Sequence, residues 1–374
     1  MSRIAGSGWF ARLLRLAELD WGMFILGIGT ATPLHCYRQS QGWEALQSAP
    51  QFSQLNVRSR AILKKVLLGN NGISTRYLAL NSLSEAFEIH PDALHARFAK
   101  NAPLLGANAA ERALHTAGLQ SAELDAIVVS TCTGYLCPGL TSYMSERLGL
   151  RPDILALDLV GQGCGAALPN LQMADALLAS GRCRYVLSIC VEICSAAFYL
   201  DDDPGVLISA CLFGDGAGAV VLSNKPNRDR RRLEWKAAGT ILSPADRDYL
   251  RFEQKNGMLR NILTQQVPSL AGKYAELVFK EALLKANVRR EEVTAWIMHA
   301  GGREILEALR ARLGLEEADL QWSADILRRF GNVSSPCVIF VLEAALAGQA
   351  RGGHWWMSAF GAGFNCHGAL LEAD

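Results

Sequence analysis

The chain has 374 residues, half of them hydrophobic and 20% charged, with 37 Lys+Arg against 36 Asp+Glu for a net charge of +1. That length suits two domains or one large α/β unit, and the apolar share excludes intrinsic disorder. The even charge gives no bulk electrostatic reason to bind nucleic acid or an anionic membrane, and no apolar stretch reaches the length of a spanning helix without interruption.

Residues 1–22 set Trp9, Phe10, Leu13, Leu14, Leu16 and Leu19 among Arg12, Arg15 and Glu18, the pattern of a short amphipathic helix. Such a helix packs on the body of the protein, lies at a membrane surface through residues 7–19, or precedes a true start at Met23. An uninterrupted apolar core and a small-residue cleavage site, the marks of a signal peptide, are not evident. Phe24–Ile28 reads as a buried strand running into Gly29-Thr30, and residues 40–68 are mostly helical in pattern. A helix is expected over Ala107–Ala117, closed by Gly118, and a central strand over Ala126–Thr131. Then come a helix at Ser142–Leu148, a strand at Leu155–Leu159, a helix at Leu168–Leu178 and strands at Tyr185–Ile193 and Ala219–Leu222.

Asn224–Arg232 (NKPNRDRRR) is polar, charged and broken by proline, so it divides the chain into halves at 23–224 and 225–374. The second half reads as a strand near 235–241, a helix at 266–286, a strand at Ala295–Met298, helices at 302–313 and 335–347, and strands at Trp355–Ala359 and Ala369–Leu371. Alternating strands and helices argue for an α/β fold. Both halves end alike, in FGDGAGAVVLS (213–223) and FGAGFNCHGALLE (360–372), each a Gly-rich turn feeding an apolar strand.

The ten cysteines form no C-x-x-C pair and there is no H-E-x-x-H, which argues against a zinc or iron–sulfur site. Reduced thiols in a cytoplasmic protein are the simplest reading. Cys164 stands apart, in GQGCGAALPNL, where glycines at 161, 163 and 165 let another group approach the sulfur. It precedes an expected helix, whose N-terminal field favours thiolate. His299 ends an expected strand and precedes Gly301-Gly302, and Asn332 lies in GNVSSP between two expected helices. Taken singly, each has an ordinary structural use, as a small buried thiol, a loop imidazole and a turn amide. Together they suit acyl chemistry. A thiolate held by an imidazolium accepts an acyl group, and His and Asn N–H groups stabilise an enolate or tetrahedral oxyanion.

VVSTCTGYLCPG (128–139), the Cys164 segment, FGDGAGA (213–219), HAGG (299–302), GNVSSP (331–336) and FGAGF (360–364) occur in the order and at the spacing of one family. From about Phe24 to Leu371 the chain resembles the type III polyketide synthases, chalcone-synthase-like members of the thiolase superfamily. The resemblance implies an αβαβα layered fold of two duplicated halves, a homodimer, and acyl-CoA and malonyl-CoA as substrates with no metal or redox cofactor. It makes Cys164 the acyl acceptor, His299 and Asn332 the decarboxylation and oxyanion groups, and Phe213 a gatekeeper. It places Cys132, Cys194, Ala197, Ser334, Gly361 and Gly363 at the substrate pocket, and Arg58, Lys64 and Lys65 at the coenzyme A mouth.

The departures matter too. Where plant enzymes carry a second gatekeeper phenylalanine this chain aligns Asn261, so that aromatic wall is expected to be absent. Cys132, Cys194 and Ala197 stand where chalcone synthases have threonine, which makes the wall more apolar. LRNIL and GFNCHGALLE are more similar to bacterial alkylresorcinol and alkylpyrone synthases, which points to a fatty-acyl starter in a long apolar tunnel. The rival within the fold is ketoacyl-carrier-protein synthase III, which shares the Cys-His-Asn set but carries glutamine after its histidine, where this chain has Ala300-Gly301-Gly302. A non-catalytic acyl-CoA-binding protein is the rival from a different class.

Overall fold

A computed structural model describes residues 22–227 and 230–374. The helix expected over residues 1–22, and with it the membrane contact through residues 7–19, lies outside the described residues.

Strands of the first half are β1 (Met23–Ala31), β2 (Cys36–Arg38), β3 (Thr75–Tyr77), β4 (Ala126–Thr131), β5 (Leu155–Val160), β6 (Tyr185–Glu192) and β7 (Gly216–Ser223). Those of the second are β8 (Leu233–Leu242), β9 (Leu250–Lys255), β10 (Met258–Leu263), β11 (Val293–Met298), β12 (Gly353–Gly361) and β13 (Asn365–Ala373). Nine of them form one mixed sheet in the order β11-β12-β13-β8-β1-β7-β6-β4-β5. Outward from the β1/β8 seam the order repeats. On one side it runs β1-β7-β6-β4-β5, on the other β8-β13-β12-β11. β7 and β13 hold the same place in the two orders, and each is the strand its Gly-rich motif feeds. The seam itself is thin, pairing only Met23 with Trp235 and Phe24 with Glu234.

Helices supply the other layers. Ala167–Ala179 touches β4 and β6 of the first repeat and β12 and β13 of the second, while Cys337–Ala347 touches β1 and β7 as well as β11 and β12. These two therefore lie in the middle. The latter reads CVIFVLEAALA, apolar all round apart from Glu343, and is buried over Cys337–Leu342 as a middle-layer helix requires. Its Glu343 accepts a hydrogen bond from the Thr30 hydroxyl. Outside, Pro91–Ala117 covers β1, β6 and β7, and Val267–Ala286 covers β8, β12 and β13. The first of these approaches β1 through Ala109, Ala113 and Ala117 so closely that a Cβ on Gly27 would stand 2.2 Å from the Ala113 carbonyl oxygen. No helix among the described residues is long and apolar enough to cross a membrane.

Three parts of the pattern differ from expectation. The helix expected from residue 107 begins at Pro91, because Pro103 and Gly106, which read as breakers, both lie inside it. Residues 40–68 divide into Gln39–Gln47, Pro50–Gln54 and Val57–Leu68, with Pro50 opening the second and Asn56 capping the third. The β9–β10 hairpin and the helices Pro204–Leu212 and Gln321–Phe330 were not anticipated.

Candidate active site

The chain leaves β5 through Gly161 and Gly163, both at positive φ, into a tight turn over Gly163–Gly165. Helix Ala167–Ala179 follows, with Pro169 tolerated in its first turn. Cys164 therefore sits just ahead of the helix. The 360–364 loop of the second repeat lies directly against this turn. A Cβ on Gly361 would meet the Gln162 carbonyl oxygen at 2.2 Å, and one on Gly165 would meet Asn365 Oδ1 at 2.4 Å. Asn365 fastens the contact by donating through Nδ2 to the Gln162 and Ala362 carbonyls.

Facing Cys164 is the segment that carries Asn332. Its register is set by backbone bonds from Asn332 N–H to Leu212 O at 2.9 Å and from Gly214 N–H to Asn332 O at 3.0 Å. Phe213 is thereby bridged to Asn332. The Asn332 carboxamide is held at both ends. Oδ1 accepts from the Ser334 N–H at 2.8 Å, and Nδ2 donates to the Gly301 carbonyl at 3.1 Å. Ser334, at φ 58°, brings its hydroxyl 3.3 Å from Cys164 Sγ and 3.6 Å from Cys132 Sγ. His299 follows β11 and is tied to β12 by its N–H to Ser358 O at 2.9 Å. Its ring meets Phe360 edge-on at 5.1 Å, and neither ring nitrogen has a hydrogen-bond partner. Thus Cys164, Ser334, Asn332 and the Gly301 loop beside His299 form one continuous set of contacts, built from both repeats.

Burial opposes the thiolate–imidazolium pair that the motif suggests. Burial pushes the Cys164 thiol up to about 12, with the Ser334 hydrogen bond opposing it and the Glu192 carboxyl adding to it. Burial lowers His299 to about 3. Desolvation therefore favours the neutral form of both groups.

Glu192 was missed as a site neighbour. It is fully buried at the end of β6 and accepts from Cys132 N–H at 3.0 Å, Cys132 Sγ at 3.3 Å, Thr133 Oγ1 at 2.9 Å and the Ser335 hydroxyl. A lone charge inside an apolar strand (YVLSICVE) was its signal. Burial holds its carboxyl above the ordinary range against those hydrogen bonds.

Two cavities adjoin the turn. The larger, about 740 Å³, is walled by Cys132, Gly163, Gly363 and the β9–β10 hairpin. Gly363 lines it, whereas Gly361 does not, being packed on the Gln162 carbonyl. The smaller, about 20 Å³, is lined by Phe213, Cys194, Ala197, Ser334, Asn261 and Phe252 among others. The aromatic wall expected to be absent is therefore supplied from elsewhere. Phe252 is the direct cross-strand partner of Asn261 and presents its ring to the same pocket. The Asn256-Gly257 pair, at φ 54° and 75°, makes the tight turn that sets this register. The inner pocket by itself is too small for a fatty chain, so the tunnel expected for one is not delimited by it alone. Arg58, Lys64 and Lys65 are exposed on Val57–Leu68 and line neither cavity.

Among the described residues no group of three or more His, Cys, Asp or Glu side chains could hold a metal ion. All ten cysteines are free.

Residues 39–273 match the family described as FAE1/Type III polyketide synthase-like protein, and residues 237–372 match the chalcone and stilbene synthases, C-terminal domain. The chain belongs to the type III polyketide synthases. Similar members include the 3,5-dihydroxyphenylacetyl-CoA synthases of Amycolatopsis balhimycina, 30% identical over 92% of each chain, and Streptomyces toyocaensis, 29% identical over 93% of this chain and 89% of that one. PKS-I of the brown alga Ectocarpus siliculosus superposes with a TM-score of 0.86 at 25% identity, covering 94% of this chain and 98% of that one. The C-terminal type III domain of Steely1 from Dictyostelium shares the fold at a TM-score of 0.83 and 23% identity, over 94% and 99% of the two chains. The synthase is thus an acyltransferase on the thiolase-like fold.

Proposed function

We propose that this type III polyketide synthase loads an aliphatic, fatty-acyl starter from coenzyme A onto Cys164. It extends the chain with malonyl-CoA and closes it to an alkylpyrone or alkylresorcinol-type product. Cys164 passes its proton to the His299 ring as the sulfur attacks the thioester carbonyl, and the departing coenzyme A thiolate recovers that proton. The products are the acyl–Cys164 thioester and free coenzyme A. Next, the Asn332 amide and a His299 N–H donate to the thioester carbonyl oxygen of malonyl-CoA. Carbon dioxide leaves, and the enolate attacks the acyl–Cys164 carbonyl and releases the sulfur. Asn332 spends one N–H on Gly301 and keeps the other for this donation. Two neutral groups at rest suit the second step, because no strong base is needed once decarboxylation generates the carbanion.

The observation that carries the reading is His299 itself, enclosed with both ring nitrogens unpaired beside the Cys164–Ser334–Asn332 set. A buried imidazole without partners costs stability unless a ligand supplies them. Cys194, Ala197 and Phe213 supply an apolar side to a pocket otherwise edged by Thr133, Ser209, Asn261 and Ser334, and the aliphatic starter is proposed for that side. Coenzyme A at Arg58, Lys64 and Lys65, a homodimer in the cytoplasm, and chemistry without metal or redox cofactor belong to the same proposal.

The test is a product assay with labelled malonyl-CoA and acyl-CoA starters from acetyl to stearoyl, on wild type and Cys164→Ala. Labelled polyketides from aliphatic starters in the wild type alone support the reading. Malonyl-CoA by itself is run beside them, since two relatives are named for making a small aromatic acyl-CoA. Preference for short aromatic starters, or for malonyl-CoA alone, would overturn the fatty-acyl part. A single condensation on a carrier-protein substrate would favour a ketoacyl synthase.

A further inference from the structure

Behind the inner pocket lies a second chamber of about 50 Å³. Leu46, Leu63, Leu67 and Phe87 wall it, from the helices Gln39–Gln47 and Val57–Leu68 and the turn Leu83–Phe87. The one charge on its wall, Arg76, is already engaged with Gln39 Oε1 and the Ala210 and Phe213 carbonyls at 2.9–3.0 Å. No lining residue holds a buried polar side-chain atom without a partner. A chamber with no unmet polar group favours an uncharged hydrocarbon over a polar ligand.

The chamber and the inner pocket share two residues, Phe198 and Ala210. Phe198 directly follows the turn Cys194–Ala197, which carries two inner-pocket residues, and packs on Leu78, Leu80 and Ala86. Its ring stands as the partition. Ser334, whose hydroxyl lies 3.3 Å from the Cys164 sulfur, lines the same inner pocket as Phe198 and links the nucleophile to it.

We propose that Phe198 sets the length of the aliphatic acyl chain carried on Cys164, the chamber receiving the distal carbons that the ring lets pass. This rests on the fatty-acyl reading above. The two spaces together hold only a few carbons, so longer chains require the ring to move.

The experiment is starter competition, hexanoyl- to stearoyl-CoA with labelled malonyl-CoA, on the full-length enzyme. The variants are Phe198→Ala, Phe198→Leu, and Phe198→Ala combined with Ala45→Phe, which refills the chamber from its far wall. Phe198→Ala is expected to move the preferred starter up by at least two carbons and to raise kcat/KM for the longer chains about tenfold relative to hexanoyl. Phe198→Leu gives a smaller shift in the same direction, and Ala45→Phe reverses it. Should Phe198→Ala fail to fold, the leucine variant carries the test. An unchanged ranking in an active Phe198 variant overturns the gate and leaves the fatty-acyl reading intact. A wild type that loads none of these starters overturns that reading, and the gate with it.

Discussion

At the scale of single residues the site is governed by desolvation. Burial disfavours the charged form of both Cys164 and His299. The Ser334 hydroxyl is the group that works against this for the sulfur. Ser334→Ala removes that hydrogen bond, so alkylation of Cys164 by iodoacetamide at pH 8 should slow by roughly threefold to tenfold, about 1 kcal/mol. Peptide mapping of the labelled thiol measures it. His299 makes stability depend on pH with a definite sign. An unfolded histidine titrates at about 6.5, the folded one at about 3. Between those values the unfolded chain binds the extra proton, so stability falls as pH falls through this window. From pH 7 to pH 5 the loss in urea-unfolding free energy should be smaller in His299→Phe than in wild type by about 1–2 kcal/mol. An equal loss in both would show that the imidazole is solvated.

At the scale of elements, the Cys164 turn depends on contact with the 360–364 loop. A methyl at Gly165 or Gly361 lands on atoms of that interface. Gly165→Ala and Gly361→Ala should each cost about 1–3 kcal/mol in urea unfolding and should blunt Cys164 labelling, whereas Gly118→Ala, with open space around it, should leave labelling unchanged. Much at this scale was legible in the sequence. β4 and β6 announce themselves as β-branched apolar runs, and the helix over 167–179 by its spacing. The long helix from Pro91 was half hidden, because Pro103 and Gly106 look like breaks. Only tertiary packing explains Gly106, whose Cβ would strike Met144 at 2.0 Å. The β9–β10 hairpin had a readable turn in Asn256-Gly257 but lacks strict alternation. Phe252 as the aromatic neighbour of Asn261 follows from cross-strand register, which a linear pattern does not contain. The Cys-His-Asn set came from motif order. Its protonation did not, because burial is a property of the folded whole.

At the scale of the molecule, the two repeats are joined less by the seam between β1 and β8 than by the middle helices. Ile339 of Cys337–Ala347 presses on β7 of the first repeat, where a Cβ on Gly218 would lie 2.8 Å from its own Cβ. Ile339→Ala should cost about 2–5 kcal/mol and lower the stability of both repeats together, seen as a single coincident transition by near-ultraviolet circular dichroism and tryptophan fluorescence in urea. Two separate transitions would show that each repeat stands alone. The contact between Gly165 and Asn365 carries a different consequence. The two positions lie in different halves of the chain, and a side chain at 165 would strike Asn365 Oδ1. Because Asn365 also donates to the Gln162 and Ala362 carbonyls, shortening it to make room at 165 would loosen the same contact, so Gly165→Ala with Asn365→Gly should be no more stable in urea than Gly165→Ala alone. Where the sulfur's turn meets the second half, the two positions share one mutational fate.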